Sequence, residues 1–376
     1  MLPVIQKDLW EHLAQSDKTV VLYGMGNGGD KVLAACAEKG ISVKGVFASD
    51  GFARGNLFHG MPVRTWTETC ALYGADNLIV LLSFGSSRPE VIETILRVRR
   101  EAELYAPDVP AFGDGLFDRS FYESHTEELE ETRALLSDEE SRRLFDLILQ
   151  FKLTGDVGYL LEAESDPNEI WEHILSPSQI RTAADLGAYN GDTVRELIAR
   201  TGGRVERILA MEPDARNFAK LSAFAAEQAP KHVRIEPHNV AAWCEKTILH
   251  FEKSGNRNAS VGANRSQTLA ARPMRTVEVQ ADTLDRLLGG DAVDYVKYDV
   301  EGSEKEALLG SHQTLCAHTP DLLVSLYHRN EDLFSLPLLI HSRVPSYRGF
   351  YLRRMRGIPA WDINLYVTRD EKEKNT

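Results

Sequence analysis

Ala184-Asp185-Leu186-Gly187-Ala188-Tyr189-Asn190-Gly191-Asp192-Thr193 decides how the second half of this chain folds. It reads as the end of a buried strand that begins at Arg181, a glycine turn, and the first turn of a helix running to Arg200. Gly187 and Gly191 let the backbone come close to a ligand, and Asp192 or Thr193 supplies a helix cap. Strand, turn and helix in this order open a doubly wound α/β sheet, whose ligands lie at the carboxyl ends of the strands. The spacing is G-x-x-x-G with no Lys-Ser/Thr pair behind it, which excludes a P-loop and disfavours a dinucleotide site.

Working outward, strands are expected at 181–187, 207–212, 232–240, 293–299 and 321–327, with helices at 192–200, 214–227 and 304–316. Such alternation implies a parallel sheet covered on both faces. The tail departs from it: 347–353 and 363–367 read as two strands joined through a Gly-Pro segment, an antiparallel pair at a sheet edge. A doubly wound sheet finished by an antiparallel hairpin is the layout of class I S-adenosylmethionine (SAM) methyltransferases. Met211-Glu212-Pro213 ends the second strand, where an acid accepts hydrogen bonds from both ribose hydroxyls and disfavours a 2′-phosphate. The glycine turn would meet the methionine part of SAM, whose carboxylate suits a helix N-terminus. In Val293-Asp294-Tyr295-Val296-Lys297-Tyr298-Asp299-Val300-Glu301-Gly302, Asp299 and Glu301 end the fourth strand, and strand alternation predicts that they share one face of the crevice.

On these residues the sequence resembles the FkbM family of methyltransferases. The matching stretches are Asp185-Leu186-Gly187-Ala188 with Gly191-Asp192-Thr193, Glu212-Pro213, Asn239-Val240-Ala241, Thr283-Leu284-Asp285, and Lys297-Tyr298-Asp299-Val300-Glu301-Gly302-Ser303-Glu304. They follow the family's order over 181–370, about half of the chain. The resemblance implies SAM-dependent methylation, usually of a hydroxyl on a sugar or natural product. It assigns SAM to Asp185, Gly187, Ala188, Tyr189, Asn190, Gly191, Asp192, Thr193, Glu212, Asn239, Val240 and Asp299. Tyr189 and Ser325-Leu326-Tyr327-His328 suggest a subgroup whose substrate need not match the best-known members.

Methyl transfer from a sulfonium is an in-line displacement governed by positioning, and a hydroxyl nucleophile also needs a base. His328, at the end of the fifth strand, has an ordinary pKa suited to that task, and it equally suits a cap for the following helix. Asp299 is a second base candidate or a group that holds SAM or the acceptor hydroxyl; Glu301 orients substrate or favours a helix N-terminus. Asp299, Glu301 and His328 form a conceivable metal set, but carboxylates at a strand end are more often hydrogen-bonded, and no metal is assigned. Acceptor contacts are expected from Asn258 and Ser260, in a polar loop that otherwise reads as flexible surface, and from His328 and Arg353. Trp243, His238 and Trp361 are read as packing residues.

The first half opens with a βαβ unit of its own. Thr19 to Tyr23 enter Gly24-Met25-Gly26-Asn27-Gly28-Gly29, a helix runs from Asp30 to Lys39, and a strand from Val43 to Ala48 precedes Asp50, where a ribose-binding acid is expected. A third strand spans 77–83 and a helix 89–100. The glycines fit a nucleotide, NAD or nucleotide-sugar ligand, or a tight strand-to-helix corner that binds nothing. With Gly60-Met61-Pro62-Val63, the first hundred or so residues resemble the small Rossmann-like N-terminal domains of sugar acetyltransferases and related sugar-modifying enzymes. Three units are therefore expected: a Rossmann-like domain at 1–115, a helical connector at 116–180 and a methyltransferase domain at 181–376. Ser137-Asp138-Glu139-Glu140 and the periodic Leu144, Leu147, Ile148 and Phe151 mark the connector as helical; it packs the domains together or forms a subunit interface of a homo-oligomer.

Composition sets the outer limits. At 376 residues, 43% hydrophobic and 26% charged, the chain can build two cores. A net charge of -13 argues against a nucleic-acid surface and leaves a small-molecule or saccharide acceptor as the expected partner. Four cysteines without C-x-x-C spacing argue for reduced thiols, a cytoplasmic setting and no zinc site. No signal-peptide pattern opens the chain, and no apolar run reaches the roughly 18 residues of a membrane span.

Overall fold

Two twisted sheets are joined through one continuous apolar core. The structure is a computed structural model that describes residues 2–49, 51–228, 233–253, 260–261 and 275–371. Asp50 and Asn258 lie outside the described residues, and Ser260 is described by its backbone alone.

In the first sheet the strands are β1 (Thr19–Tyr23), β2 (Val43–Phe47), β3 (Leu57–Phe58), β4 (Met61–Arg64), β5 (Leu78–Leu82) and β6 (Glu103–Tyr105). Their order is β3-β4-β2-β1-β5-β6, parallel except for the β3–β4 pair. All five residues of β5 are buried, as a central strand covered on both faces requires. The expected βαβ unit is present, with its helix starting early, at Asn27, so Gly28 and Gly29 belong to the helix. A Cβ at Gly28 would fall 1.9 Å from the carbonyl oxygen of Ser83, so this glycine lets the turn pack against the end of β5.

Helices at Thr126–Leu135, Glu139–Thr154 and Val157–Glu162 follow. Leu144, Phe145, Ile148, Leu149 and Phe151 are buried in one cluster that also holds Val21 and Val80 of the first sheet and Val296 and Tyr298 of the second. The helices are thus shared core, not a tether.

The second sheet contains β7 (Thr182–Leu186), β8 (Arg207–Met211), β9 (Arg234–His238), β14 (Tyr295–Tyr298), β15 (Asp321–Ser325), β16 (Gly349–Arg354) and β17 (Ile363–Thr368). Between β9 and β14, β10 (Ala241–Ala242), β11 (Thr247–Lys253), β12 (Ser260–Val261) and β13 (Arg275–Asp282) form a small separate sheet that the alternation did not announce. The main order is β16-β17-β15-β14-β7-β8-β9, with β17 antiparallel to both its neighbours. This is the mixed α/β layout expected of a class I methyltransferase, with its closing hairpin. The expected helix at 304–316 is split into Glu304–Leu309 and His312–His318, where a Cβ at Gly310 would meet the Trp243 carbonyl at 2.0 Å.

Arg353 has a different place from the acceptor role expected of it. Its side chain is 2% exposed and bonds Asp138 (2.8 Å), Glu169 (2.8 Å) and the Ser141 hydroxyl (2.8 Å). A guanidinium has five donors in a fixed fork, and these partners occupy it, tying β16 to the preceding helices. Arg353→Ala should lower stability by about 2–4 kcal/mol, because a buried ion pair loses one member and Asp138 and Glu169 lose their counter-charge. Chemical denaturation checks this; an unchanged midpoint contradicts it.

Candidate active site

The site is built at the carboxyl ends of β7, β8, β14 and β15. After β7 the chain turns at Gly187 (φ 90), whose N–H donates to the Met211 carbonyl at 3.0 Å, as does that of Ala188 at 3.0 Å. A Cβ at Gly187 would lie 1.8 Å from the carbonyl oxygen of Asp299. Glycine is required because two strand ends meet there backbone to backbone. Tyr189, exposed and at φ 46, carries the turn on to Gly191, which caps the helix Asp192–Arg200 with no side-chain bond. The cap expected from Asp192 or Thr193 is absent: the Asp192 carboxylate accepts from the Thr193 N–H (2.9 Å), while the Thr193 hydroxyl donates to Asp185 (2.5 Å).

Glu212 faces this turn. Its carboxylate accepts from the N–H groups of Tyr189 (2.9 Å) and Asp214 (2.8 Å). Burial pushes its carboxyl up to about 7, against the opposing effect of those backbone bonds. Asn239 bonds the carbonyls of Glu212 (2.9 Å) and Pro213 (3.1 Å), so it holds the acid's segment from behind, and Val240 packs on the core. The backbone carbonyl of Asn190 accepts from Arg195 at 3.2 Å.

A buried charge chain joins this half of the site to the other. Lys297, inside β14, lies 3.4 Å from Asp185 and 3.4 Å from Asp299. Burial opposes its charge, but the two carboxylates more than offset that and hold the ammonium above the ordinary lysine value. Burial likewise opposes ionisation of Asp299, and Lys297 and then His328 overcome it, so this carboxyl sits below its usual range. The Tyr327 hydroxyl donates to the other Asp299 oxygen at 3.3 Å.

His328 is 2% exposed, with Nδ1 2.9 Å from Glu304 Oε1. That contact is short but poorly aligned for a hydrogen bond, and it acts as an ion pair. Nε2 lies 3.7 Å from Asp299 and 3.6 Å from Glu301. Burial lowers the affinity of His328 for a proton, yet Glu304 outweighs it and the imidazole is raised to about 9. Asp299 and Glu301 therefore do meet at His328, by a route other than strand alternation. β14 ends at Tyr298, and Glu301 adopts φ 56, which swings its largely exposed side chain back toward the histidine. Glu304 accepts from the Val300 N–H at 2.9 Å and so closes the loop between β14 and its helix.

The segment leaving the first sheet reaches this point. The Phe112 N–H donates to the His328 carbonyl (3.0 Å), and the Phe112 ring lies 5.8 Å from the imidazole. Lys297, Tyr327 and Glu304 had no assigned role in the sequence reading. A lysine between apolar neighbours of a central strand was the available signal, since a buried ammonium needs anionic partners.

This sheet order, with a glycine turn after its first strand, an acid after its second and a charged cluster after its fourth and fifth, is a Rossmann-like layout. Residues 185–350 match the family model described as "Methyltransferase FkbM domain". Over almost the whole length, the fold is similar to that of the crystal structure of Methyltransferase FkbM from Methylobacillus flagellatus KT (TM-score 0.69, 21% identity, 95% of this chain and 92% of that one). An rRNA methylase from Streptococcus thermophilus matches at TM-score 0.31 and 11% identity over 50% of this chain and 86% of its own. Aeropyrum pernix fibrillarin, in complex with natively bound S-adenosyl-L-methionine, matches at TM-score 0.32 and 11% identity over 52% and 68%. No curated protein matches the chain. No helix of the described residues is long and apolar enough to cross a membrane.

Gly187→Ala should weaken binding of S-adenosylhomocysteine (SAH) by tenfold or more, roughly 1.4 kcal/mol at least, because the added carbon must push the turn off Asp299. Calorimetric titration checks this; wild-type affinity in a folded Gly187→Ala protein contradicts it.

Proposed function

We propose that the chain is a SAM-dependent O-methyltransferase acting on a hydroxyl of a sugar or natural product. The observation that carries this reading is Glu212 turned into the glycine turn, its carboxylate bonded to the Tyr189 N–H at 2.9 Å. An acid so placed can accept both ribose hydroxyls, while Gly187 to Thr193 meet the amino-acid end of SAM. The sulfonium methyl then faces Asp299, Tyr327 and His328. SAM supplies the methyl group; the chain supplies alignment and a proton acceptor.

In the reaction, the acceptor oxygen forms a bond to the methyl carbon as the S–C bond breaks, and its proton passes to His328 Nε2. Glu304 at Nδ1 fixes the ring and stabilises the imidazolium that results. Asp299, kept ionised by Lys297, accepts a hydrogen bond from the acceptor and orients it, and Glu301 shields the same opening.

The pH dependence follows from the raised pKa of His328. Below about 9 the free imidazole is mostly protonated and cannot act as a base. With an acceptor in hand, kcat/KM for transfer of labelled methyl should rise about tenfold per pH unit toward 9 and level off above it. His328→Asn should lose the slope and about 10²–10⁴ of the rate while still binding SAH. A flat profile in the wild type, or an undiminished rate in His328→Asn, removes His328 from the mechanism. Failure to bind SAM or SAH removes the whole reading.

A further inference from the structure

The connection between β16 and β17 brings Asp362 near Asp299, with the half-open Trp361 beside it. Antiparallel pairing runs from Leu322↔Val367 to Ser325↔Asn364, and the Leu326 N–H continues it by donating to the Ile363 carbonyl at 2.8 Å. Beyond that bond lie Tyr327 and Asp362, close enough that the Asp362 charge acts on the Tyr327 phenol, whose hydroxyl touches Asp299 at 3.3 Å. Asp362 is exposed and adopts φ 55, a left-handed conformation that aspartate takes up more readily than most residues. Its carbonyl is held by the Met355 N–H (3.1 Å) and the Asn364 amide (3.5 Å), which fixes the backbone there. Although its surface is open, the protein atoms crowding the carboxyl and then the negative charge of Asp299 raise its pKa, in keeping with a position near the same cleft.

Trp361 is 46% exposed, too open for a core residue, yet it is anchored. A Cβ at Gly85, in the loop after β5, would fall 2.3–2.6 Å from three carbons of its six-membered ring, so the indole rests directly on the Gly85 backbone. Beside it, Ser86 and Ile358 exchange two backbone hydrogen bonds (2.8 and 3.1 Å), which clamps the hairpin connection to the first sheet. An indole fixed on glycine backbone, next to the Asp362 carboxylate, presents a rigid apolar surface with hydrogen-bond acceptors along its edge.

We propose that Trp361 and Asp362 form an acceptor subsite for a neutral pyranose, with Gly85 and Ser86 of the first domain as its backing. This assignment rests on the methyltransferase reading above. The C–H face of the ring lies on the indole, adjacent hydroxyls donate to the Asp362 carboxylate, and a further hydroxyl reaches Asp299 and His328. Asp362, Asp299 and Glu301 together disfavour phosphorylated or uronic-acid groups at this position. The first domain thereby gains a role in acceptor selection that needs no nucleotide at its own glycine turn.

The test is a titration of the full chain, saturated with SAH, with methyl glycopyranosides of the gluco, galacto, manno and 6-deoxy series and with glucose 6-phosphate. A saturable calorimetric response is expected for at least one neutral glycoside, absent with the phosphate, and lost in Trp361→Ala. With SAM and that glycoside, Asp362→Asn should raise KM about tenfold while kcat stays within about threefold. Trp361→Phe, which retains an aromatic face, should keep most of the affinity and shows that any loss in Trp361→Ala is not misfolding. Absence of a saturable response with every glycoside overturns the subsite, as does a response that survives in Trp361→Ala. Calorimetry of SAH alone keeps the two claims apart: SAH binding without glycoside binding rejects the subsite only, and loss of both rejects the methyltransferase reading.

Discussion

A single buried lysine holds the two halves of the site in register. Lys297 stands in a central strand with a carboxylate 3.4 Å away on either side, Asp185 from β7 and Asp299 from the end of its own strand. An ammonium in such a position is tolerated only when its partners are in place, and each partner in turn depends on it. Asp185 also receives the Thr193 hydroxyl, which anchors the helix after the glycine turn; Asp299 receives Tyr327 and faces His328. The turn that would take the donor and the cluster that would take the acceptor are therefore linked through one charge. Packing reinforces the link, because the Asp299 carbonyl lies where a Gly187 side chain would have to go.

Much of this was legible in the sequence because it rests on local signals. β1 and the helix Asp192–Arg200 fall at the residues that periodicity and glycine punctuation indicate, and the closing hairpin lies within two residues of its expected bounds. Glu212 was readable for the same reason: an acid at the end of the second strand can only emerge at the crevice. What sequence could not show was set by distant partners. Arg353 resembled a ligand-binding arginine until Asp138 and Glu169, far away in the chain, were seen to enclose it. Alternation failed at Glu301 because the strand had already ended and the backbone reversed through a left-handed residue. Trp361, read as a packing residue, does pack, but its partner is a glycine backbone after β5 and it stays half-open.

The first sheet is more than an appendage. Its core is continuous with that of the second through the helices between them, and two of its loops contact connections of the second sheet. Phe112 contacts His328 through both backbone and ring, and Ser86 pairs with Ile358. The glycine turn after β1 packs tightly on the end of β5, which accounts for Gly28 without any ligand.

Glu212 is the acid proposed to grip the donor's ribose, and its raised pKa makes that role measurable. The free carboxyl titrates near 7 because it is buried, and the ionised form is the one able to accept from both hydroxyls. Calorimetric titration of SAH between pH 5.5 and pH 8.5 is the direct measurement, with the pH values chosen to bracket about 7. Affinity should rise toward about 7 and then level off, and Glu212→Gln should bind weakly with no such rise. Tight SAH binding that ignores pH and survives Glu212→Gln would place the donor elsewhere and contradict the account.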